Sequence, residues 1–313
     1  MTRTDPDHHP HPSDPAPRPD DGPLRRALLA NATLTTLCIA ALLAFPAELA
    51  AHLGDPPPAL LPGLAAALAG FAAFLLWQAT RRPIRLFFAL LTTASDLLWV
   101  LGSAILLLAL GDRFTDLGAG LVIGVAAGVA LVGTLQWRGL RHAIHAPDDT
   151  LGTRHRYAVQ LESPVPRARL WPIVADLGAI AEHGAFLAES RLEGDPGVGA
   201  LRRCADHGGK RWAEEVTGWA KGERIQLRFR SEEAGFPFPM APMHGGWILE
   251  DLPAGRTRVT IWWAFTARPA WAAPLIVALL DGSMGKSMRQ TLDSMARDAA
   301  TRPAPELASE AAE

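Results

Sequence analysis

The chain has 313 residues, a formal net charge of −2, 49% hydrophobic residues and two cysteines. Two cysteines build no disulfide framework, and a near-neutral chain without clustered basic and base-stacking aromatic residues lacks the electrostatic footprint of a nucleic-acid binder. Charged residues average 20%, but that average joins a charge-poor half to a charged half, with the change near residue 138.

Residues 1–23, MTRTDPDHHPHPSDPAPRPDDGP, are rich in Pro, Asp and His and hold little that packs, which predicts a disordered tail. His8, His9 and His11 have no organised site around them, so no metal centre is expected there. A four-helix transmembrane domain is predicted over 24–141. Its spans are 27–45, 60–80, 86–110 and 117–137; Asp96 is the one ionisable side chain of the third, and the other three lack charge. About 20 apolar residues cross the ~30 Å hydrocarbon layer. Arg25 and Arg26 ahead of the first span also fit a signal peptide, but its length and the missing small-x-small cleavage pattern favour an uncleaved helix. Arg25, Arg26, Arg81, Arg82, Arg85, Arg138 and Arg141 flank one side of the spans, and Arg113 alone falls on the other. The positive-inside rule then puts both termini in the cytoplasm of a multi-pass inner-membrane protein, with Trp77 and Trp137 at the cytoplasmic interface.

On the third span Thr92, Asp96, Trp99 and Ser103 recur at helical spacing and share one face. Counting ~1.5 Å per residue from Arg85 puts Asp96 about 16 Å deep, and the same count from Arg26 makes Thr35 and Thr36 its expected hydrogen-bond partners. An intramembrane carboxylate is costly unless paired or protonated, so it faces protein. It reads either as a proton or ligand site or as a protonated fastener between helices. A single carboxylate with no intramembrane base favours the fastener. In the fourth span Gly120, Gly124 and Gly128 form a tandem GxxxG, which lets a helix of the same bundle, or of a second chain in a homodimer, approach closely.

A linker over 142–153 leaves the membrane, and beyond it the periodicity changes. YAVQLESP (157–164) predicts a strand and 166–183 a helix broken at Pro172. Then AFLAESRLEG, GALRRCAD, KRWAEEVTGW, RIQLRFR, GGWILEDL and RTRVTIWWAFTA alternate between Gly, Pro and Asp turns, a meander of antiparallel strands. A long helix closes the pattern with Ile276, Leu280, Met284, Met288, Leu292 and Met295 on its apolar stripe. A hairpin turned by HGG at 207–209 sets Cys204 opposite Trp212 and Arg202 opposite Glu214. Pointing inward, that ion pair grips a ligand's polar head; pointing outward, it fastens the hairpin. The segment 232–246, EEAGFPFPMAPMHGG, is too long and too rich in proline for a tight hairpin and displays Phe236, Phe238, Met240 and Met243. It reads as a gate loop that meets the bilayer or as side chains folded over the sheet.

Strand, helix, meander and long C-terminal helix, with PRARLWPIVADLGAI, GVGALRRC, WAEEVTGW and GGWILEDLPAGRTRVTIWWAF in that order, resemble the START-like (SRPBCC) helix-grip superfamily of polyketide cyclase/dehydratase and lipid-transfer families. The resemblance covers roughly 154–299, with a frayed tail over 300–313. The fold class it implies is an α-helical membrane bundle followed by an α+β helix-grip domain, an antiparallel sheet wrapped round the last helix. Between sheet and helix it implies an apolar cavity, with Trp171, Arg202, Glu214, Leu227, Phe229, Trp247, Val259, Ile261, Trp263, Phe265, Leu280, Met284 and Met288 as lining residues. A Met and Leu stripe is equally compatible with plain core. The expected role is binding a membrane lipid or hydrophobic small molecule at the cytoplasmic face, without a metal or other cofactor. The alternatives are a membrane-tethered cyclase/dehydratase-like enzyme and a ligand-free regulatory module. His155, His183, His207 and His244 fall at strand ends or loops and form no dyad, so no catalytic residue is assigned.

Overall fold

A computed structural model describes residues 20–146, 151–184 and 186–302. The tails expected over 1–23 and 300–313, the histidines of the first tail and the middle of the linker lie outside these residues, except that helix already begins at Gly22 and continues to Thr301. Two compact units divide the chain. One is built on Pro19–His145 together with Pro274–Gly282, the other on Ala146–Ala273 and the stretch from Ser283 onward.

The first unit is helical: α1 (Gly22–Ala44), α2 (Pro46–His52), α3 (Leu60–Thr80), α4 (Leu86–Leu110) and α5 (Asp116–Ala143). All except α2 are long and apolar enough to cross a membrane. Pro23 opens α1 and Pro46 both stops it and starts α2, since proline supplies a helical φ but no N–H. The Thr115 hydroxyl caps α5 by accepting from the Gly118 N–H. α1 packs along α3 and α5, and α4 packs along α5. α3 and α4 meet near their shared turn, where Gln78 donates to Thr92 at 2.8 Å and Phe88 meets the stacked Phe74 and Trp77 rings edge to face. Leu98, Leu108 and Leu131 stand fully outward, which is favourable only where the surroundings are apolar.

The close approach of helices is not where the GxxxG spacing puts it. Gly120 and Gly124 face open space within this chain, and a Cβ on Gly128 would meet only the end of Leu34. Within this chain the tight points on α5 are Gly118, where a Cβ would overlap the His52 carbonyl of α2, and Gly139, where it would lie 2.6 Å from the Leu24 Cα of α1. A helix stripe identifies small residues, but which of them a neighbour crosses depends on the crossing angle.

The second unit holds β1 (His155–Ser163), α6 (Arg167–Ala175), α7 (Ile180–His183), β2 (Leu187–Glu193), β3 (Leu201–Asp206), β4 (Arg211–Ala220), β5 (Arg224–Phe229), β6 (Met240–Leu252), β7 (Arg256–Ala267) and most of α8 (Ala273–Thr301). The strands form one antiparallel sheet in the order β1-β7-β6-β5-β4-β3-β2, and the α6–α7 segment crosses from one edge strand, β1, to the other, β2. With the long C-terminal helix this is the helix-grip arrangement. Pro172 does not break its helix. It lies inside α6, which runs on to Ala175 before α7 begins, because tertiary packing of the buried Leu170, Trp171, Ile173 and Val174 offsets the one backbone bond lost. Arg169 donates to the backbone carbonyls of Ala300 and Arg302, and the His183 ring meets the Ser294 hydroxyl at 3.2 Å, which ties α6 and α7 to α8.

Candidate functional site

Period-2 alternation collects one continuous face of the sheet. Cross-strand partners Val159–Ile261–Trp247–Ile225 and Leu161–Val259–Leu249 run from β1 to β5, and Phe229 opposes Glu214, which opposes Arg202. Leu227, Phe229, Trp247, Val259, Ile261 and Phe265 are all buried, and Trp263 is half-buried beside Tyr157, on which it stacks. A bulge between Val216 and Gly218 turns Trp219 onto the same face as Ile225, and the Trp171 ring of α6 meets it edge-on at 5.8 Å. The opposite face carries a smaller patch of Ile248, Trp262 and Ala264. From α8, Met288, Leu292, Met295, Ala296 and Ala299 are buried at spacings of three and four, while Leu280 and Met284 are half-buried.

One ion pair is set into the apolar face. The turn 207–210 places Arg202 opposite Glu214 and Cys204 opposite Trp212, as the HGG hairpin predicted. Gly209 takes φ +81° there, and Lys210 N–H donates to the Asp206 carboxylate. The pair points inward. Arg202 is 6% exposed and Glu214 2%. Arg202 Nε donates to Glu214 Oε2 at 2.9 Å and Nη2 donates to the same oxygen, while Trp212 Nε1–H donates to Oε1 at 2.7 Å. Burial works to lower the Arg202 pKa, but the Glu214 carboxylate and its hydrogen bonds overcome this and hold the guanidinium above its ordinary value. Burial pushes the neighbouring Cys204 thiol up to about 12, so it is neutral at pH 7 and no nucleophile. Sequence spacing identified the pair; the contribution of Trp212 was missed, although a Trp two residues from a buried carboxylate on one strand shares its face and needs an acceptor.

The segment proposed as a gate is shorter than its sequence suggests. β6 begins at Met240, so Met240 and Met243 are buried strand residues and only Phe236 and Phe238 lie in the connection. An alternation interrupted by Pro242 hid the strand; Pro242 sits at an exposed position beside a register shift. Phe236 and Phe238 are half-buried, and Phe238 packs edge-on against Trp212 at 5.1 Å, next to the ion pair.

In the helical unit Asp96 is 4% exposed and its partners differ from those expected. Asn31 Nδ2 donates to both carboxylate oxygens at 3.1 and 2.9 Å, and Gln136 Nε2 donates to Oδ2 at 2.8 Å. Thr35 Oγ1 donates only to the side-chain Oδ1 of Asn31 at 3.4 Å, and Thr36 donates back to the Ala32 backbone carbonyl. The expectation counted both helices from their arginines. Asp21, however, accepts from the Ile84 N–H at 3.1 Å, so α1 and α4 are level at those residues and Asn31, a turn short of Thr35, meets Asp96. Among the described residues no group of three or more His, Cys, Asp or Glu side chains is placed to hold a metal.

Residues 154–300 match the family described as "Polyketide cyclase / dehydrase and lipid transport". No curated protein matches the chain. Among solved structures, the Zhui aromatase/cyclase from Streptomyces sp. R1128 is similar at 16% identity over 47% of this chain and 93% of its own, TM-score 0.38. Norcoclaurine synthase from Thalictrum flavum, in complex with dopamine and hydroxybenzaldehyde, gives 12% identity over 51% and 94%, TM-score 0.40. An uncharacterized protein from Bacillus thuringiensis gives 13% over 45% and 98%, TM-score 0.37.

Proposed function

From a C-terminal half that carries a START-like helix-grip domain behind four helices able to cross a membrane, we propose that the domain binds a hydrophobic small molecule or lipid between its apolar sheet face and α8. The helices hold it at the inner membrane with both termini, and hence the domain, on the cytoplasmic side. The observation that carries this reading is the Arg202–Glu214–Trp212 network, a buried charge pair inside an otherwise apolar face. A fold that needed only stability gains little from a desolvated ion pair, whereas a ligand site needs a few fixed polar groups among apolar walls. Trp171, Leu227, Phe229, Trp247, Val259, Ile261, Trp263 and Phe265 are its proposed walls, with Met284 and Met288 on the helix; Leu280 falls in the helical unit and is left out of the site. Phe236 and Phe238 form the mouth. The arginine asymmetry of the spans supports the orientation, and a second copy packing on the open Gly120 and Gly124 is part of the reading.

The family description supports a second reading, a membrane-tethered cyclase-like enzyme whose buried pair orients the substrate. Native mass spectrometry of the detergent-extracted full chain tests both. A hydrophobic molecule should co-purify, and its occupancy should fall in Phe236→Ser/Phe238→Ser with the melting temperature unchanged. Conversion of the bound molecule on incubation selects the enzyme. An empty protein in every extract overturns both readings and leaves a ligand-free regulatory module.

A further inference from the structure

Outside the sheet domain, the helical unit holds a cavity of about 710 Å³. Its volume lies inside the ~300–1,000 Å³ range of ligand pockets. Its walls come from α1 to α5, and it reaches from Asp96 to Leu110 on α4, about 21 Å at 1.5 Å per residue. It lies where α3 and α4 diverge from the turn that joins them. Leucine, alanine and valine line most of its length. Asn31, Thr35, Asp96 and Trp99 gather at one end.

That end has two unsatisfied capacities. Asp96 Oδ1 takes a single 3.1 Å bond from Asn31, whereas Oδ2 takes bonds from both Asn31 and Gln136, so Oδ1 still has a lone pair to offer. Trp99, three residues along the same helix face, has a buried indole N–H with no acceptor among the described residues. An acceptor and a donor on neighbouring side chains are complementary to one chemical group above others. A hydroxyl donates its proton to the carboxylate and accepts the indole N–H. An ammonium has no lone pair for Trp99. A carboxylate or phosphate is repelled by Asp96, and the cavity lining contains no Arg, Lys or His to compensate. A hydrocarbon leaves the buried indole N–H without an acceptor and the second lone pair of Oδ1 unused.

We propose that this cavity is a second binding site, for a long-chain alcohol whose hydroxyl sits between Asp96 and Trp99 and whose apolar tail runs toward Leu110 and Phe114. Fatty and isoprenoid alcohols share this chemistry. The site is independent of the sheet domain's own ligand. Cys38, Ser95 and Ser103 lie along its wall, and the shape asks for one unbranched or prenyl chain.

The test uses the full chain in detergent with a hexadecanol probe carrying a mid-chain diazirine and a terminal alkyne. Crosslinks should map to α1 and α4, and unlabelled hexadecanol should compete at least about tenfold better than hexadecane, hexadecylamine or hexadecanoate. That ratio follows from gaining two hydrogen bonds, one to a carboxylate that already accepts three amide N–H bonds and one from the indole. Trp99→Phe should weaken the alcohol several-fold without affecting the amine. Val125→Phe, which fills the cavity wall, should abolish labelling. Equal competition by hexadecane would reduce the cavity to a lipid-filled groove and overturn the proposal, as would equal competition by hexadecanoate or indifference to Trp99→Phe. The competition series on the unmodified chain decides the matter even where a variant fails to fold.

Discussion

Replacing Glu214 by Gln tests whether the Arg202–Glu214 pair is desolvated as its burial indicates. In the folded domain this leaves the Arg202 guanidinium, 6% exposed, without a counter-charge. It also weakens the acceptor for the Trp212 indole, bonded at 2.7 Å. Breaking a buried pair by removing one partner costs roughly 3–5 kcal/mol. A domain of this size has about 5–15 kcal/mol in total, so the variant should lose a large share of its stability. The double replacement Arg202→Met/Glu214→Leu removes both charges from an apolar wall and should be neutral or stabilising by ~1–4 kcal/mol. Denaturant unfolding of the full chain in detergent, followed by the strand signal in circular dichroism, measures all three proteins. A Glu214→Gln cost below about 1 kcal/mol would mean that the pair is solvated and would refute the argument from burial. A double variant as unstable as the single one would show that the pair is retained for packing. A stable double variant that no longer retains the co-purifying molecule would assign the pair to recognition.

Gly139→Ala in α5 places a Cβ 2.6 Å from the Leu24 Cα and should cost about 1–3 kcal/mol by overpacking, whereas Gly102→Ala in α4, with open space around it, should be neutral or slightly stabilising; thermal unfolding of the full chain compares them. His244, paired across strands with Arg228, is held below its ordinary pKa chiefly by burial and then by the Arg228 charge. The unfolded chain therefore takes up the proton first as pH falls below ~6.5, so stability declines from there and levels off below the folded pKa. His244→Gln should remove that part of the acid limb, and an unchanged pH–stability curve would show that another group sets it.

Local signals were enough wherever the physics is local. Runs of apolar residues near the length of a bilayer predict helices whatever surrounds them, and the observed α3 and α4 have the expected bounds. Strand alternation and the HGG turn gave the Arg202–Glu214 register because a hairpin's turn counts residues outward on both sides. Strand, helix, meander and long final helix likewise carried the fold of the second unit, because each element has its own period.

Tertiary structure alone decided which way things face and what they meet. Spacing paired Arg202 with Glu214 but left both faces open; the sheet's packing buried them. Distance along a helix says how far in Asp96 lies, not which residue stands opposite, and its partners come from 65 and 40 residues away. A stripe of glycines marks where helices are able to touch, yet the crossing of α1 over α5 chose Gly139. The cavity beside Asp96 has no signature in the chain at all, because a void is a property of how the helices diverge and not of any one of them.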